Sequence, residues 1–103
     1  MPPRPIQAEQ VVAILRAHEG ELRAAGIRKL SLFGSVVRGD AEFTSDIDLA
    51  AELDPEARID LFQLTALERR IAELLGRPVD LLPEPVEKTR LQANINRDRR
   101  LAF

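Results

Sequence analysis

A glycine and a serine near the middle of the chain have the residue types that phosphate chemistry requires. Gly34 and Ser35 follow the apolar run 30–33, which predicts a short buried strand that ends at the glycine. Because glycine has no Cβ, a phosphate group can come close to the backbone N–H groups there, and the Ser35 hydroxyl offers a further hydrogen bond. The sequence therefore predicts a phosphate-binding turn at residues 34 and 35.

Two aspartates follow in a second predicted strand, over residues 45–51. Side chains alternate faces along a strand, so Asp46 and Asp48 project to one side while Ile47 and Leu49 project into the core. The Cα atoms of the two aspartates are then about 6.6 Å apart, and their carboxylates suit a pair of Mg²⁺ ions about 3.5 to 4 Å apart. A set of oxygen ligands favours Mg²⁺ over zinc. The spacing therefore predicts a magnesium site.

A third aspartate, Asp80, lies in the short apolar run 78–82, which predicts another strand. Alternation places its two neighbours in the core and Asp80 on the opposite face. The connection between the two aspartate strands is a predicted amphipathic helix, so a right-handed crossover should make these strands parallel. The helix has one apolar stripe, formed by Leu64, Leu67, Ile71, Leu74 and Leu75.

The first strand must run antiparallel to the second if Gly34 is to lie beside Asp46. Together with the parallel pair, this arrangement predicts a mixed sheet. We expect an α/β (α+β) fold in which helices pack on a small mixed β-sheet.

The run 32–40, followed by Ser45-Asp46-Ile47-Asp48-Leu49, resembles the signature of the minimal nucleotidyltransferase (MNT) branch of the DNA polymerase beta-like nucleotidyltransferase superfamily. The resemblance extends over about residues 27–82. It implies the polymerase beta-like nucleotidyltransferase fold. It also places Asp80 at the position of the third acidic residue that the family carries on a later strand.

The resemblance implies transfer of AMP from ATP to a hydroxyl acceptor, with two Mg²⁺ ions as cofactors. Asp46, Asp48 and Asp80 are then both catalytic residues and metal ligands, and Asp80 takes the proton of the acceptor hydroxyl. Gly34 and Ser35 are expected to bind the terminal phosphates of the nucleotide.

Each of these residues also has a purely structural interpretation. An aspartate pair at the start of a strand is common in solvated turns, and Asp80 alone would suit the surface of an edge strand. Arg38, just after the glycine–serine turn, either binds a nucleotide phosphate or pairs with Asp40 or Glu42 at the surface. The combination of the turn, the paired aspartates and the later aspartate favours the catalytic interpretation.

Length and charge limit the domains and partners. A chain of 103 residues predicts a single domain, 1–103, with residues 1–6 flexible and no second substrate-binding domain. The net charge of −2 argues against broad binding of nucleic acid, which needs a basic surface. The sequence has no cysteine and no apolar run near the roughly 20 residues of a membrane span, so we expect a cytoplasmic protein.

The resemblance implies a tyrosine hydroxyl as the acceptor. This chain contains no tyrosine, so a tyrosine acceptor must come from another protein. Small members of the MNT branch are often antitoxins encoded with an HEPN-domain ribonuclease toxin, so the resemblance implies an HEPN-type toxin as partner. Two function classes remain open. The protein either adenylylates its partner, on a tyrosine hydroxyl, or it is a non-catalytic antitoxin that neutralises the toxin by binding. Transfer to a small molecule, such as an antibiotic, is a third and less favoured alternative.

The remaining segments are predicted to be scaffold. An N-terminal helix should be weakened or broken near Gly20 and end at Gly26, and its single histidine, His18, is interpreted as a boundary or core residue. Asp54 and Pro55 are predicted to begin the middle helix, which ends at Gly76. Residues 86–98 predict a shorter helix, and residues 101–103 a small edge strand or a docked tail.

Three arginines near the C-terminus form a local basic cluster in the sequence. Arg97, Arg99 and Arg100 have no aromatic residues between them. They are interpreted as a solvated chain end, with partner docking as the alternative.

Overall fold

The structure is a computed structural model that describes residues 6–42 and 45–103. Five α-helices, four β-strands and one 3₁₀ turn are found in this part of the chain. In chain order they are α1 (Ala8–Ala17), α2 (Glu19–Ala24), β1 (Ile27–Phe33), α3 (Ser35–Arg38), β2 (Ile47–Leu53), the 3₁₀ turn (Pro55–Ala57), α4 (Leu61–Leu75), β3 (Val79–Pro83), α5 (Thr89–Asp98) and β4 (Arg100–Leu101).

The four strands form one mixed sheet in the order β3-β2-β1-β4. β1 is antiparallel to β2, and β2 is parallel to β3. Both pairings were predicted, so the mixed-sheet fold class is confirmed. β2 begins at Ile47, whose N–H donates to the Pro78 carbonyl, so Asp46 lies just before the strand rather than in it.

Helices cover both faces of the sheet, and each face has its own core cluster. The larger core lies under α1, α2 and α4 and includes Ile47 and Leu49 of β2. A smaller cluster on the other face joins Ala50 of β2 to Ile95 of α5. Because side chains alternate along a strand, Asp48 lies on the face that α5 covers, which is called the α5 face below.

The N-terminal helix is interrupted at His18, and Gly20 lies inside α2. The break predicted near Gly20 is therefore two residues earlier. His18 is half-buried, with Nδ1 4.0 Å from Oε1 of Glu21, which agrees with its interpretation as a boundary residue.

The prediction that Asp54 and Pro55 begin the middle helix was wrong. Asp54 instead caps the 3₁₀ turn, where its side chain accepts from the Glu56 N–H. α4 begins at Leu61, behind a capping box in which Asp60 accepts from the Gln63 N–H at 2.8 Å and Gln63 accepts from the Asp60 N–H at 2.8 Å. This reciprocal pair satisfies two N–H groups of the helix start, which Asp54 and Pro55 cannot do.

Most of the predicted apolar stripe of α4 packs on the core, although Leu64 and Leu74 are only half-buried. Leu67, Ile71 and Leu75 are buried against the sheet, and the helix ends at Gly76 in the left-handed conformation. No helix in residues 6–42 and 45–103 is long and apolar enough to cross a membrane.

The ends of the chain also meet the core. Of residues 1–6, for which flexibility was predicted, only Ile6 lies within the described part, and it packs against the larger core. α5 begins at Thr89, three residues later than predicted. The C-terminal segment is both an edge strand and a docked tail, because β4 pairs with β1 and Ala102 is completely buried.

Candidate active site

The turn after β1 has a backbone conformation that only glycine adopts readily. Gly34 has φ +79° and ψ −153°, a region from which a Cβ excludes other residues. A Cβ at this position would also collide with Oδ2 of Asp48 and lie 3.2 Å from its Cγ. Ser35 then begins α3, and Gly34 lies directly against one of the predicted metal ligands.

A pair of glycine variants separates backbone strain from this collision. Gly39, at the end of α3, also has a positive φ of +83°, but no atom lies within 4 Å of a Cβ built there. Gly39→Ala should therefore cost about 1 kcal/mol of unfolding free energy through strain alone. Gly34→Ala should cost about 3 kcal/mol and displace Asp48, which would weaken nucleotide binding as well. Urea denaturation of both variants measures the difference, and equal losses would contradict the role given to the Asp48 contact.

The register of the sheet brings the aspartates together. Asp48 is paired with Asp80 across the parallel strands and with Phe33 across the antiparallel strands. Neighbouring strands are about 4.8 Å apart, so the carboxylates of Asp48 and Asp80 project side by side on the α5 face. Asp46, two residues before Asp48, is exposed at the same edge.

The carboxylates act on one another electrostatically. Burial raises the pKa of Asp48, and the negative charges of Asp80 and Asp46 raise it further. Burial also raises the pKa of Asp80, followed by the charges of Glu68 and Asp46. The structure therefore places all three predicted aspartates in one group, while their catalytic and metal-binding roles stay predictions.

Glu68 is an acidic neighbour of this group that the sequence analysis missed. It lies on α4 and accepts the Leu81 N–H at 3.0 Å, which satisfies a backbone donor of the edge strand β3. In the sequence, Glu68 directly follows Leu67 and lies at the border of the apolar stripe, so it was not considered as a site residue. Helical periodicity cannot show that the side chain reaches β3, because that contact depends on how α4 packs against the sheet.

Magnesium fits this donor set without a closed cage. Among the described residues, no three His, Cys, Asp or Glu side chains form a group that could hold a metal ion. Mg²⁺ is usually held by one or two carboxylates together with substrate phosphates and water, which is what this open edge offers. The repulsion that raises the pKa of Asp48 and Asp80 is also the repulsion that a bound cation would relieve.

The raised pKa of Asp48 predicts a pH-dependent cost to stability. A carboxyl group whose pKa is higher in the folded state favours folding while it is protonated, and this contribution is lost as the pH rises through the folded pKa. Without Mg²⁺ at neutral pH, Asp48→Asn should therefore have a higher Tm than the wild type. The difference should shrink as the pH falls toward about 4, near the ordinary pKa of the carboxyl group.

Thermal unfolding in EDTA across this pH range measures the effect. Glu52→Gln, at the far end of β2, removes an exposed carboxylate and should change the Tm little at any pH. An Asp48→Asn variant that is less stable than the wild type at neutral pH would contradict the prediction.

Arg38 lies at the end of α3, and its charge reaches the site. It pairs with Asp40 at 3.4 Å, one of the two surface partners predicted, and with Asp98 of α5 at 3.0 Å, which was not predicted. Its positive charge lowers the pKa of Asp48, against the larger raising effects. Surface pairing of Arg38 is thus observed, and its binding of a nucleotide phosphate stays a prediction.

The three C-terminal arginines do not act as one basic cluster. Each pairs with a different acidic residue: Arg97 with Asp98, Arg99 with Glu84 and Arg100 with Glu9. The interpretation as a simple solvated end is therefore incomplete, since the pairs of Arg99 and Arg100 tie the segment to other parts of the fold.

Comparison with known proteins identifies the family of this chain. Residues 9–103 match the family described as polymerase beta, nucleotidyltransferase. The protein adenylyltransferase MntA of Thermococcus cleftensis is 36% identical over 91 residues, which cover 87% of this chain and 90% of that protein.

Solved structures show the same fold. A protein provisionally named a minimal nucleotidyltransferase superposes with a TM-score of 0.76 at 27% identity, over 92% of this chain and 95% of that one. A complex of a tri-AMPylated Shewanella oneidensis HEPN toxin with an MNT antitoxin contains a chain that superposes with a TM-score of 0.64 at 20% identity, over 89% of this chain and 71% of that one. At this lower identity the likeness concerns the fold alone. Because the family match spans nearly the whole chain and the MntA relative is similar over most of its length, the chain belongs to the polymerase beta nucleotidyltransferase family.

Proposed function

We propose that this nucleotidyltransferase moves AMP from ATP to a hydroxyl group of a partner protein, with two Mg²⁺ ions as cofactors. The observation that carries the proposal is the juxtaposition of Asp48 with Asp80 across the parallel strands, with Gly34 against the Asp48 carboxylate. This places a carboxylate pair next to a turn whose backbone can approach a phosphate.

The proposed site residues have separate roles in binding the nucleotide and the cations. Gly34 and Ser35 bind the terminal phosphates of ATP through backbone N–H groups and a hydroxyl. Asp46, Asp48 and Asp80 hold the cations, which when bound stabilise charge on the phosphates and on the acceptor oxygen. Arg38 adds a positive charge on the nucleotide side of the site.

The transfer step is an in-line displacement. A bond forms between the acceptor oxygen and the α-phosphorus of ATP, and the bond from that phosphorus to the leaving pyrophosphate breaks. Asp80 accepts the hydroxyl proton. Its raised pKa suits this task, because a base is most effective when its pKa lies closer to the working pH.

The partner we propose is an HEPN-type toxin whose tyrosine hydroxyl accepts AMP. This chain has no tyrosine of its own, and the MntA relative is named a protein adenylyltransferase, which favours a protein acceptor over an antibiotic. One structural neighbour is a chain in a complex of an AMPylated HEPN toxin with an MNT antitoxin. Because ATP is the proposed donor, the proposal keeps the cytoplasmic location predicted from the sequence.

A catalytic antitoxin is favoured over one that acts by binding alone. Burial and the charges of Asp80 and Asp46 raise the pKa of Asp48, and burial and the charges of Glu68 and Asp46 raise the pKa of Asp80. Keeping both carboxylates ionised at this edge therefore costs stability, and a protein that bound neither cations nor nucleotide would gain nothing to offset that cost.

The test is transfer of labelled AMP to the protein encoded beside this one. The two proteins are incubated with α-labelled ATP and Mg²⁺, and the partner is analysed by mass spectrometry. We expect one or more AMP groups on a partner tyrosine, with release of pyrophosphate. An analogue of ATP with a methylene group between the α- and β-phosphorus is the control, because its pyrophosphate cannot leave. Neutralisation of the partner with no added mass would overturn the proposal.

A further inference from the structure

Asp98 stands out because it is the only charged residue that is buried among the described residues. Its side chain is 7% exposed, and it is the last residue of the ten-residue helix α5. A carboxylate at this position lies at the negative end of the helix dipole and has lost most of its hydration. Its placement therefore requires strong compensation from nearby positive charges.

Two arginines provide this compensation. Arg97, the preceding residue, donates from Nε to Oδ1 at 2.9 Å and from Nη2 to Oδ2 at 3.3 Å. Arg38, 60 residues earlier in the chain, donates from Nη1 to Oδ2 at 3.0 Å. The hydrogen bond from Arg97 and then that from Arg38 lower the pKa of Asp98, while burial raises it. Asp98 thus stays ionised and fixes α3 to the end of α5.

The Arg38 side of this pair faces the candidate active site. Arg38 belongs to α3, the short helix that begins at Ser35, and its charge acts on Asp48. Its contacts with Asp98 and Asp40 engage Nη1 and Nε. A guanidinium group has further N–H donors, so it can bind an anion without releasing Asp98.

Fixing this arginine in advance has a physical advantage. A free arginine side chain loses much rotamer freedom when a ligand immobilises it, and a side chain that is already held loses less. The exposed partner, Asp40, is 63% exposed and 3.4 Å away, so it holds Arg38 weakly. The buried carboxylate of Asp98 is the group that can fix its direction.

We infer that Asp98 is a positioning residue, which holds the Arg38 guanidinium at the edge of the site so that it binds the phosphates of a magnesium–nucleoside triphosphate. The inference rests on the proposed function, since it takes that nucleotide as the ligand. Arg38 touches the nucleotide, and Asp98 acts through Arg38.

The experiment measures nucleotide affinity in a cycle of variants by calorimetry, with Mg²⁺ and the α,β-methylene analogue of ATP, which cannot transfer AMP. We expect Asp98→Asn and Arg38→Gln each to weaken binding about tenfold. The double variant should bind no more weakly than Arg38→Gln alone, because Asp98 has no effect without Arg38.

Arg97→Gln is the matched control. It also removes one arginine from the Asp98 carboxylate, but Arg97 is 63% exposed and its described contacts do not include the site. Its affinity should stay within about twofold of the wild type. Thermal unfolding of each variant shows whether a loss of affinity merely follows a loss of stability.

The outcomes are distinct. Tight binding by Asp98→Asn, or equal weakening by Arg97→Gln, would overturn the positioning role and leave the proposed function intact. A wild type that does not bind the analogue would overturn both. If Asp98→Asn does not fold, the affinities of Arg38→Gln and Arg97→Gln test the inference instead. Unchanged affinity in Arg38→Gln would show that Arg38 does not bind the nucleotide, so Asp98 could not act through it.

Discussion

The double variant Asp46→Asn, Asp48→Asn is expected to lose magnesium-dependent ATP binding and to transfer AMP at least about a thousandfold more slowly than the wild type. Asparagine keeps the size of each side chain and removes its charge, so the cations lose the ligands that hold them beside the phosphates. Charge stabilisation by metal ions is worth several kcal/mol in phosphoryl transfer, and about 4 kcal/mol corresponds to that factor.

Calorimetry with ATP, with and without Mg²⁺, measures the binding, and far-ultraviolet circular dichroism shows whether the fold is kept. We expect the fold to persist. Asp46 is exposed, and burial together with the charges of Asp80 and Asp46 makes an ionised Asp48 carboxylate unfavourable in the absence of a cation. The control is Glu52→Gln with Glu87→Gln, which removes two exposed carboxylates elsewhere. Magnesium-dependent ATP binding in the Asp46 and Asp48 variant would refute the metal assignment.

The sheet and its aspartates could be predicted because their determinants are local. Alternation around Asp48 and Asp80 fixed which side chains face away from the larger core, and the apolar stripe of α4 implied a parallel crossover. The turn at Gly34 was predicted from the position of this glycine at the end of a strand. Its positive φ and the closeness of Asp48 agree with that prediction.

Contacts between distant segments could not be predicted in the same way. Arg38 and Asp98 are 60 residues apart, and Glu68 reaches the Leu81 N–H through the packing of α4 on β3. No spacing in the sequence encodes either contact. The start of α4 was misplaced for a different reason: Asp54 and Asp60 are both plausible caps, and only the Gln63 partner of Asp60 separates them.

Asp80→Asn is expected to separate nucleotide binding from transfer. ATP binding rests mainly on Asp46, Asp48 and the glycine–serine turn, so it should be reduced only modestly. Transfer should fall by at least about a thousandfold, because residue 80 would no longer hold a cation beside the acceptor oxygen or take the hydroxyl proton. The two quantities are measured by calorimetry with ATP and by mass spectrometry of the partner.

Glu68→Gln is the matched control for this variant. Glutamine can still accept the Leu81 N–H, but it removes one of the two negative charges that, after burial, raise the pKa of Asp80. The pKa of Asp80 should then be lower, so the ionised base persists to lower pH. The acid limb of the pH–rate profile should move to lower pH while transfer at neutral pH is largely kept.

The comparison of the two variants separates an enzyme from a binding antitoxin. Loss of transfer in Asp80→Asn, with a shifted profile in Glu68→Gln, requires Asp80 to act on the acceptor hydroxyl. If wild type and Asp80→Asn neutralise the partner equally and neither adds AMP, the three carboxylates have no catalytic use there. Neutralisation would then depend on the surface that the two proteins share, and the protein would be a stoichiometric antitoxin built on a nucleotidyltransferase fold.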